Sequence, residues 1–216
     1  MKKRSIPAEL MMAHIAIENA MQNNGILKKL SAYNYDRKRL MEGKSLKEEL
    51  QLLDSVKQDK YGQQLTSTDS MYSQRQEIVA LYRQHVKRAK LVFEGQRGIL
   101  EQLQIAGALK TDTNGLLNQI YNFYSKIEAF AEDMAKYNVS PEELAQTKAM
   151  VEALFTARQQ QVQSKGDAQD ATQKRNAKLK ELRSWMTQFR KVARIALADE
   201  PQLLESLGII VPTQKV

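Results

Sequence analysis

The chain of 216 residues contains no cysteine, two histidines, four prolines, nine glycines and only 6% aromatic residues. Without cysteine there are no disulfides, zinc–thiolate sites or thiol nucleophiles, a usage that fits a reducing, cytoplasmic setting. Two histidines, His14 and His85, leave little room for a metal centre. His14 and Glu18 form an i, i+4 pair on one helix face, yet a di-iron bundle needs Glu-x-x-His motifs from two helices, and these are missing. Both histidines therefore read as surface or boundary residues, and no metal or cofactor is expected. No Gly-x-Ser-x-Gly, phosphate loop or dinucleotide fingerprint occurs. The adjacent acidic pairs Glu48-Glu49, Glu142-Glu143 and Asp199-Glu200 point to different helix faces or serve as caps. The reading is of a non-enzymatic protein.

No run of 18 apolar residues exists, so no membrane span is expected. The start Met1-Lys2-Lys3-Arg4 carries the charge of a signal peptide. Glu9, His14 and Glu18 interrupt the apolar stretch that should follow, so it reads as a helix start in a soluble protein.

What is present is helix-forming sequence, 42% hydrophobic and rich in Leu, Ala, Gln, Glu, Lys and Met, with no sustained alternating strand. It also repeats. Residues 33–105 laid on 137–209, an offset of 104, are identical at sixteen of 73 pairs, where composition alone gives about five. The matches include Tyr33-Asn34 with Tyr137-Asn138, Gly62 with Gly166, Lys87 with Lys191 and Leu103-x-Ile105 with Leu207-x-Ile209. The expected fold is all-α, an elongated bundle of two tandem helical units, 1–110 and 111–216, joined at Thr111–Gly115.

A first helix is expected from Pro7 to about Tyr33, with Gly25 a candidate bend. Asp36 is a candidate cap for the next helix, and Ser140-Pro141-Glu142-Glu143 reads as its capping box in the second copy. Around Gly62 and Gly166 lie polar zones. There either the helices turn, giving three helices per unit, or they run on for about 60 residues; the turn is preferred, because equal helix lengths close a compact bundle. Continuous helices would leave their far halves in need of a partner, and a homodimer would follow. Asp199 reads as the cap of a closing helix, Gly208 as its stop, and Val211–Val216 as a loose tail.

Charge is the feature nearest to a functional signal. Residues 171–198 carry +7 and residues 71–98 carry +4, against +8 for the whole chain. Arg83, Lys87 and Lys90 fall at helical spacing, as do Lys180, Arg183, Arg190 and Arg194, with Lys191 equivalent to Lys87. These eight residues form a candidate surface for phosphates of nucleic acid or of an anionic membrane. The competing reading is a solvated helix face, its cations favoured by the helix dipole. Stacking aromatics are sparse: Trp185 takes a core-type position matched by Leu81. Three functions stay open: a structural or interaction protein with a protein partner or a second copy, a binder of anionic polymer or membrane, and a small-molecule pocket at the junction of the copies.

The closing segment, Phe189-x-x-x-Ala193-Arg194-Ile195-Ala196-Leu197-x-Asp199-x-Pro201-Gln202-Leu203-Leu204-Glu205-x-Leu207-Gly208, resembles that of uncharacterised all-helical bacterial proteins. The resemblance covers about twenty residues, implies a bacterial helical protein, and carries no site residues with it.

Overall fold

The structure, a computed structural model, describes residues 4–210; the tail expected at Val211–Val216 and the first three residues lie outside them. The fold is all-α. Helix α1 (Ile6–Gln22) starts on Ser5, whose side chain accepts from Ala8 N, and is followed by α2 (Asn24–Ser31). The break falls at Asn23 rather than at Gly25. Asn23 leaves helical geometry and its carboxamide oxygen accepts from Gly25 N and Ile26 N at 2.9 and 3.2 Å, restarting the helix. Then come α3 (Arg37–Val92), α4 (Arg97–Gln102), α5 (Thr113–Ile127), a 3-10 turn (Glu128–Phe130), α6 (Ala131–Ala135), α7 (Pro141–Ala196) and α8 (Pro201–Ser206).

Helices α3 and α7 each run 56 residues without interruption through Gly62 and Gly166. The turns expected at those glycines do not form. One glycine in a helix interior costs about 1 kcal/mol, too little to break a helix that is paired along its length. The polar zones look like loops because α3 and α7 meet there through polar and small side chains rather than an apolar stripe. Gln161 Nε2 donates to Thr68 Oγ1 at 3.4 Å and the Ser67 and Ser164 hydroxyls are 3.5 Å apart. On the other side of the glycines, Lys60 pairs with Asp167 at 3.1 Å and Arg175 with Asp54 at 3.3 Å.

The described chain divides into two compact units, one made of residues up to Tyr61 and from Asp167 on, the other of Gly62–Gly166. This differs from a division at 110. A continuous helix does not fold its second half back onto its first, so within each unit each half packs on the other long helix instead. Within each unit α3 and α7 run antiparallel, as the falling partner numbers show: Asp54 with Arg175 and Lys60 with Asp167 in one, Ser67 with Ser164 and His85 with Glu143 in the other. The far halves thus find partners within the chain.

The first unit buries the α1 stripe Ala13, Ala16, Ile17 and Ala20 with Leu30, Tyr35, Leu40 and Leu50, against Leu182, Trp185, Phe189, Leu197 and Leu207. The second buries the α5 stripe Leu116, Ile120, Phe123, Tyr124 and Ile127 with Ile78, Tyr82, Phe93, Leu103, Leu144 and Leu154. Both stripes have helical spacing. The bounds of α3 and α4 shifted by 104 are those of α7 and α8. Asn34 and Asn138, one offset apart, both take left-handed backbone at φ 62° and 59°. There each ends the preceding short helix in a tight C-terminal turn, with Tyr35 N and Val139 N donating to Leu30 O and Met134 O.

The caps are partly as expected. Asp36 Oδ1 accepts from Arg39 N at 2.8 Å and Ser140 Oγ from Glu143 N at 3.1 Å. The Glu143 carboxylate does not close the capping box, because it is engaged elsewhere, as described below. Asp199 caps nothing: α8 has Glu200 at its N-cap with no side-chain bond, and the Glu200 carboxylate pairs with Lys29.

Candidate anion-binding site

Along α3, residues 75, 79, 83, 87 and 90 share one face at 100° per residue, beside the core stripe Ile78, Tyr82, His85 and Ala89. Arg83, Lys87 and Lys90 are exposed on that face. None of them, nor Arg75, forms an ion pair with a described residue.

At one end of this face lies a cleft of about 520 Å³ lined by Tyr72, Arg75, Val79, Arg83, Leu109, Lys110 and Leu116, among others. Its lining holds three cations and no carboxylate. The far wall is the segment that leads into α5, and a buried amide fixes it. Gln119 Nε2 donates to Gln104 O at 2.9 Å, while its Oε1 accepts from Lys110 N at 3.0 Å. Helix α5 starts directly after, with Asp112 Oδ1 accepting from Gly115 N at 2.6 Å. The same segment forms one side of a second cleft of about 760 Å³, which does include the carboxylates of Glu101 and Asp112. Arg75 and Lys110 were not singled out from the sequence. Arg75 lies eight residues before Arg83 on the same face, a spacing that could have found it; Lys110 is brought in by the chain path alone.

The basic residues of α7 lie in the other unit and meet different neighbours. Arg183 is held by Glu9 of α1 through Nε and Nη2, at 2.6–3.0 Å. Lys178 is shared between Glu49 and Glu181 at 2.8 and 2.7 Å. Arg190 is half-buried; loss of solvent, then the nearby charges of Arg4 and Arg194, pull its guanidinium below the ordinary arginine range. Lys180, Lys191 and Arg194 are exposed. The α7 stripe is therefore partly neutralised by the fold, and the α3 stripe is not.

His85 departs from the expectation of a surface or boundary residue. It is fully buried rather than at the surface. Its Nδ1 lies 2.8 Å from the Tyr124 hydroxyl and its Nε2 2.9 Å from Glu143 Oε1. Both ring nitrogens thus have a hydrogen-bond partner. Burial drives the Tyr124 phenol far up and pushes that of Tyr82 up to about 12. Through these contacts the trio holds α3, α5 and α7 together. The signal was present in the repeat: position 85 matches Phe189, a core position in the other unit. His14 is exposed. Its partner Glu18 pairs with Lys44 at 2.9 Å, which holds the Glu18 carboxyl below its usual range. Among the described residues no group of three or more His, Asp or Glu gathers to hold a metal ion, and no helix is long and apolar enough to cross a membrane.

No protein-family model, curated protein or solved structure matches the chain.

Proposed function

We propose that the chain is a non-enzymatic interaction protein that binds an anionic polymer, the phosphate backbone of nucleic acid, through the basic face of α3. The observation that carries this reading is the row Arg75, Arg83, Lys87 and Lys90, four cations on one helix face with no carboxylate partner among the described residues. A solvated face favoured by the helix dipole accounts for Lys90, which is in the last turn of α3. It does not account for Arg75 or Arg83, which lie well outside the reach of that end. Tyr72 is the one exposed aromatic side chain lining the cleft beside this row, so backbone charge rather than base stacking supplies the attraction. We also read the 104-residue offset as a duplication of one helical unit, supported by the matching helix bounds.

The test is the salt dependence of binding to a labelled duplex oligonucleotide by fluorescence anisotropy. Affinity should fall steeply with salt, and the R83A/K87A/K90A variant should flatten the slope of log K against log[salt] by about three charges. Binding that ignores salt, or a slope unchanged in the variant, would sink the reading.

A further inference from the structure

The cleft beside Arg75 and Arg83 differs from the open stripe in shape and in chemistry. Its volume of about 520 Å³ falls within the range of sites that hold small molecules. Three cations converge on it: Arg75 and Arg83 from α3 and Lys110 from the opposite wall. The two arginines are eight residues apart, about 12 Å along the helix, and each side chain spans roughly half that distance, so both can reach one anion between them. Arginine pairs bidentately with phosphate, and lysine adds a point charge. The floor is apolar, built from Val79, Ala80, Leu109 and Leu116, with Tyr72 at the rim. A bare inorganic anion would leave that floor uncovered. The wall is also preorganised, since buried Gln119 fixes Lys110 through its backbone, so binding need not order a loop first.

We propose that this cleft binds a phosphate monoester that carries a small apolar or aromatic group, the phosphate on Arg75, Arg83 and Lys110 and the apolar group on Val79, Leu109 and Leu116. The ester can be a soluble metabolite or the exposed headgroup of a lipid. The inference does not rest on polymer binding, because Lys87 and Lys90 lie outside the cleft.

The experiment is calorimetric titration of the full chain with phenyl phosphate and with inorganic phosphate, alongside co-sedimentation with phosphatidylcholine vesicles that do or do not contain phosphatidate. Phenyl phosphate should bind saturably and more tightly than inorganic phosphate. R75A/R83A should weaken it by at least about tenfold, L109A should remove its advantage over inorganic phosphate, and K87A/K90A should leave it unchanged. Saturable binding in solution assigns a soluble ester; sedimentation only with phosphatidate, lost in R75A/R83A, assigns the headgroup. Absence of both overturns the proposal, as does an equal loss in K87A/K90A, which would mean general surface charge. Circular dichroism of the variants excludes misfolding, since every substituted side chain is exposed or half-buried. Duplex binding that is lost in K87A/K90A while phenyl phosphate binding survives separates the two readings.

Discussion

Gly43 sits inside α3, where alanine should ordinarily stabilise by roughly 0.5–1 kcal/mol. Here the substitution should destabilise. A Cβ built at Gly43 lies 2.5 Å from both Cη2 and Cζ2 of Trp185 and 2.8 Å from Cε2. Carbon atoms pack at about 3.5–4.0 Å, so the indole would have to retreat by about 1 Å. Phe189 and Tyr35 limit that retreat. The indole ring stacks on Phe189 at 8° and 5.3 Å and meets Tyr35 edge-on at 5.7 Å, and all three side chains are buried. Overpacking of this kind costs about 1–3 kcal/mol, which outweighs the gain in helix propensity. Gly43→Ala should therefore lower stability by about 1–2 kcal/mol in denaturant unfolding. Trp185 is the single tryptophan, so its emission reports the displacement directly. In a Trp185→Leu background the same substitution should become stabilising, a coupling above about 1 kcal/mol in a double-mutant cycle. The equivalent positions already pair that way: Thr147 is buried opposite Gly43 in the offset, and Leu81 stands where Trp185 does. Stabilisation by Gly43→Ala in the wild-type background, or strict additivity with Trp185→Leu, would refute the reasoning.

Gly62→Ala and Gly166→Ala should behave oppositely, because nothing lies within 4 Å of a Cβ at either position; each should raise stability by about 0.5–1 kcal/mol in thermal or denaturant unfolding, whereas a turn at either glycine would make it costly. Gln104 holds left-handed backbone at φ 58°, where its offset partner Gly208 has 68°. Gln104→Gly should stabilise by up to about 1 kcal/mol, since a side chain there is disfavoured by about 1–2 kcal/mol and glycine adds chain entropy; an unfolding midpoint below wild type would count against it. The Tyr82 phenol, pushed up to about 12 by burial, stays protonated in the folded state over a range where the unfolded chain ionises. Its contribution is complete below about pH 10 and is lost as pH rises towards 12, up to about 3 kcal/mol. Tyr82→Phe should remove that part of the alkaline decline and the phenolate absorbance that rises near pH 12; an unchanged profile would contradict the assignment.

Local signals in the sequence carried far. Ser140 and Asp36 act as caps because a side-chain oxygen before a helix needs only neighbours three residues away. The core stripes follow from spacing alone. The readings that missed were those decided at long range. Whether α3 continues through Gly62 depends on Asp167, 107 residues after Lys60, and on Ser164, 97 after Ser67. A window centred on the glycine contains neither. Asp199 looks like a cap from its position, but the chain places Glu200 at that point instead. Of the candidate site, the stripe Arg83, Lys87 and Lys90 was legible from spacing. Its difference from the α7 stripe was not, because Glu9 reaches Arg183 across 174 residues.

The offset pairs also separate what the two units need in common from what distinguishes them. Leu40 and Leu144, Leu50 and Leu154, Ala89 and Ala193, Leu103 and Leu207, and Ile105 and Ile209 are identical and all buried. They are the positions where volume is constrained by close packing. Two of the differences fall on polar and aromatic positions that touch one another. Phe189 occupies in one unit the place His85 holds in the other, and Glu143, which bonds His85, stands opposite Arg39 in the offset. A histidine in a core position is tolerable only with both ring nitrogens satisfied, so Tyr124 and Glu143 must accompany it. That requirement draws the Glu143 carboxylate away from the N-terminus of α7 and into the core edge. The acidic side chains follow the same division. In one unit Glu9 pairs with Arg183 and Glu181 with Lys178, while Lys180, Lys191 and Arg194 have no ion-pair partner among the described residues; in the other, Arg75, Arg83, Lys87 and Lys90 have none. The ion pairs of Arg183 and Lys178 therefore set the α7 stripe apart from that of α3, where no carboxylate among the described residues stands against Arg75, Arg83, Lys87 or Lys90.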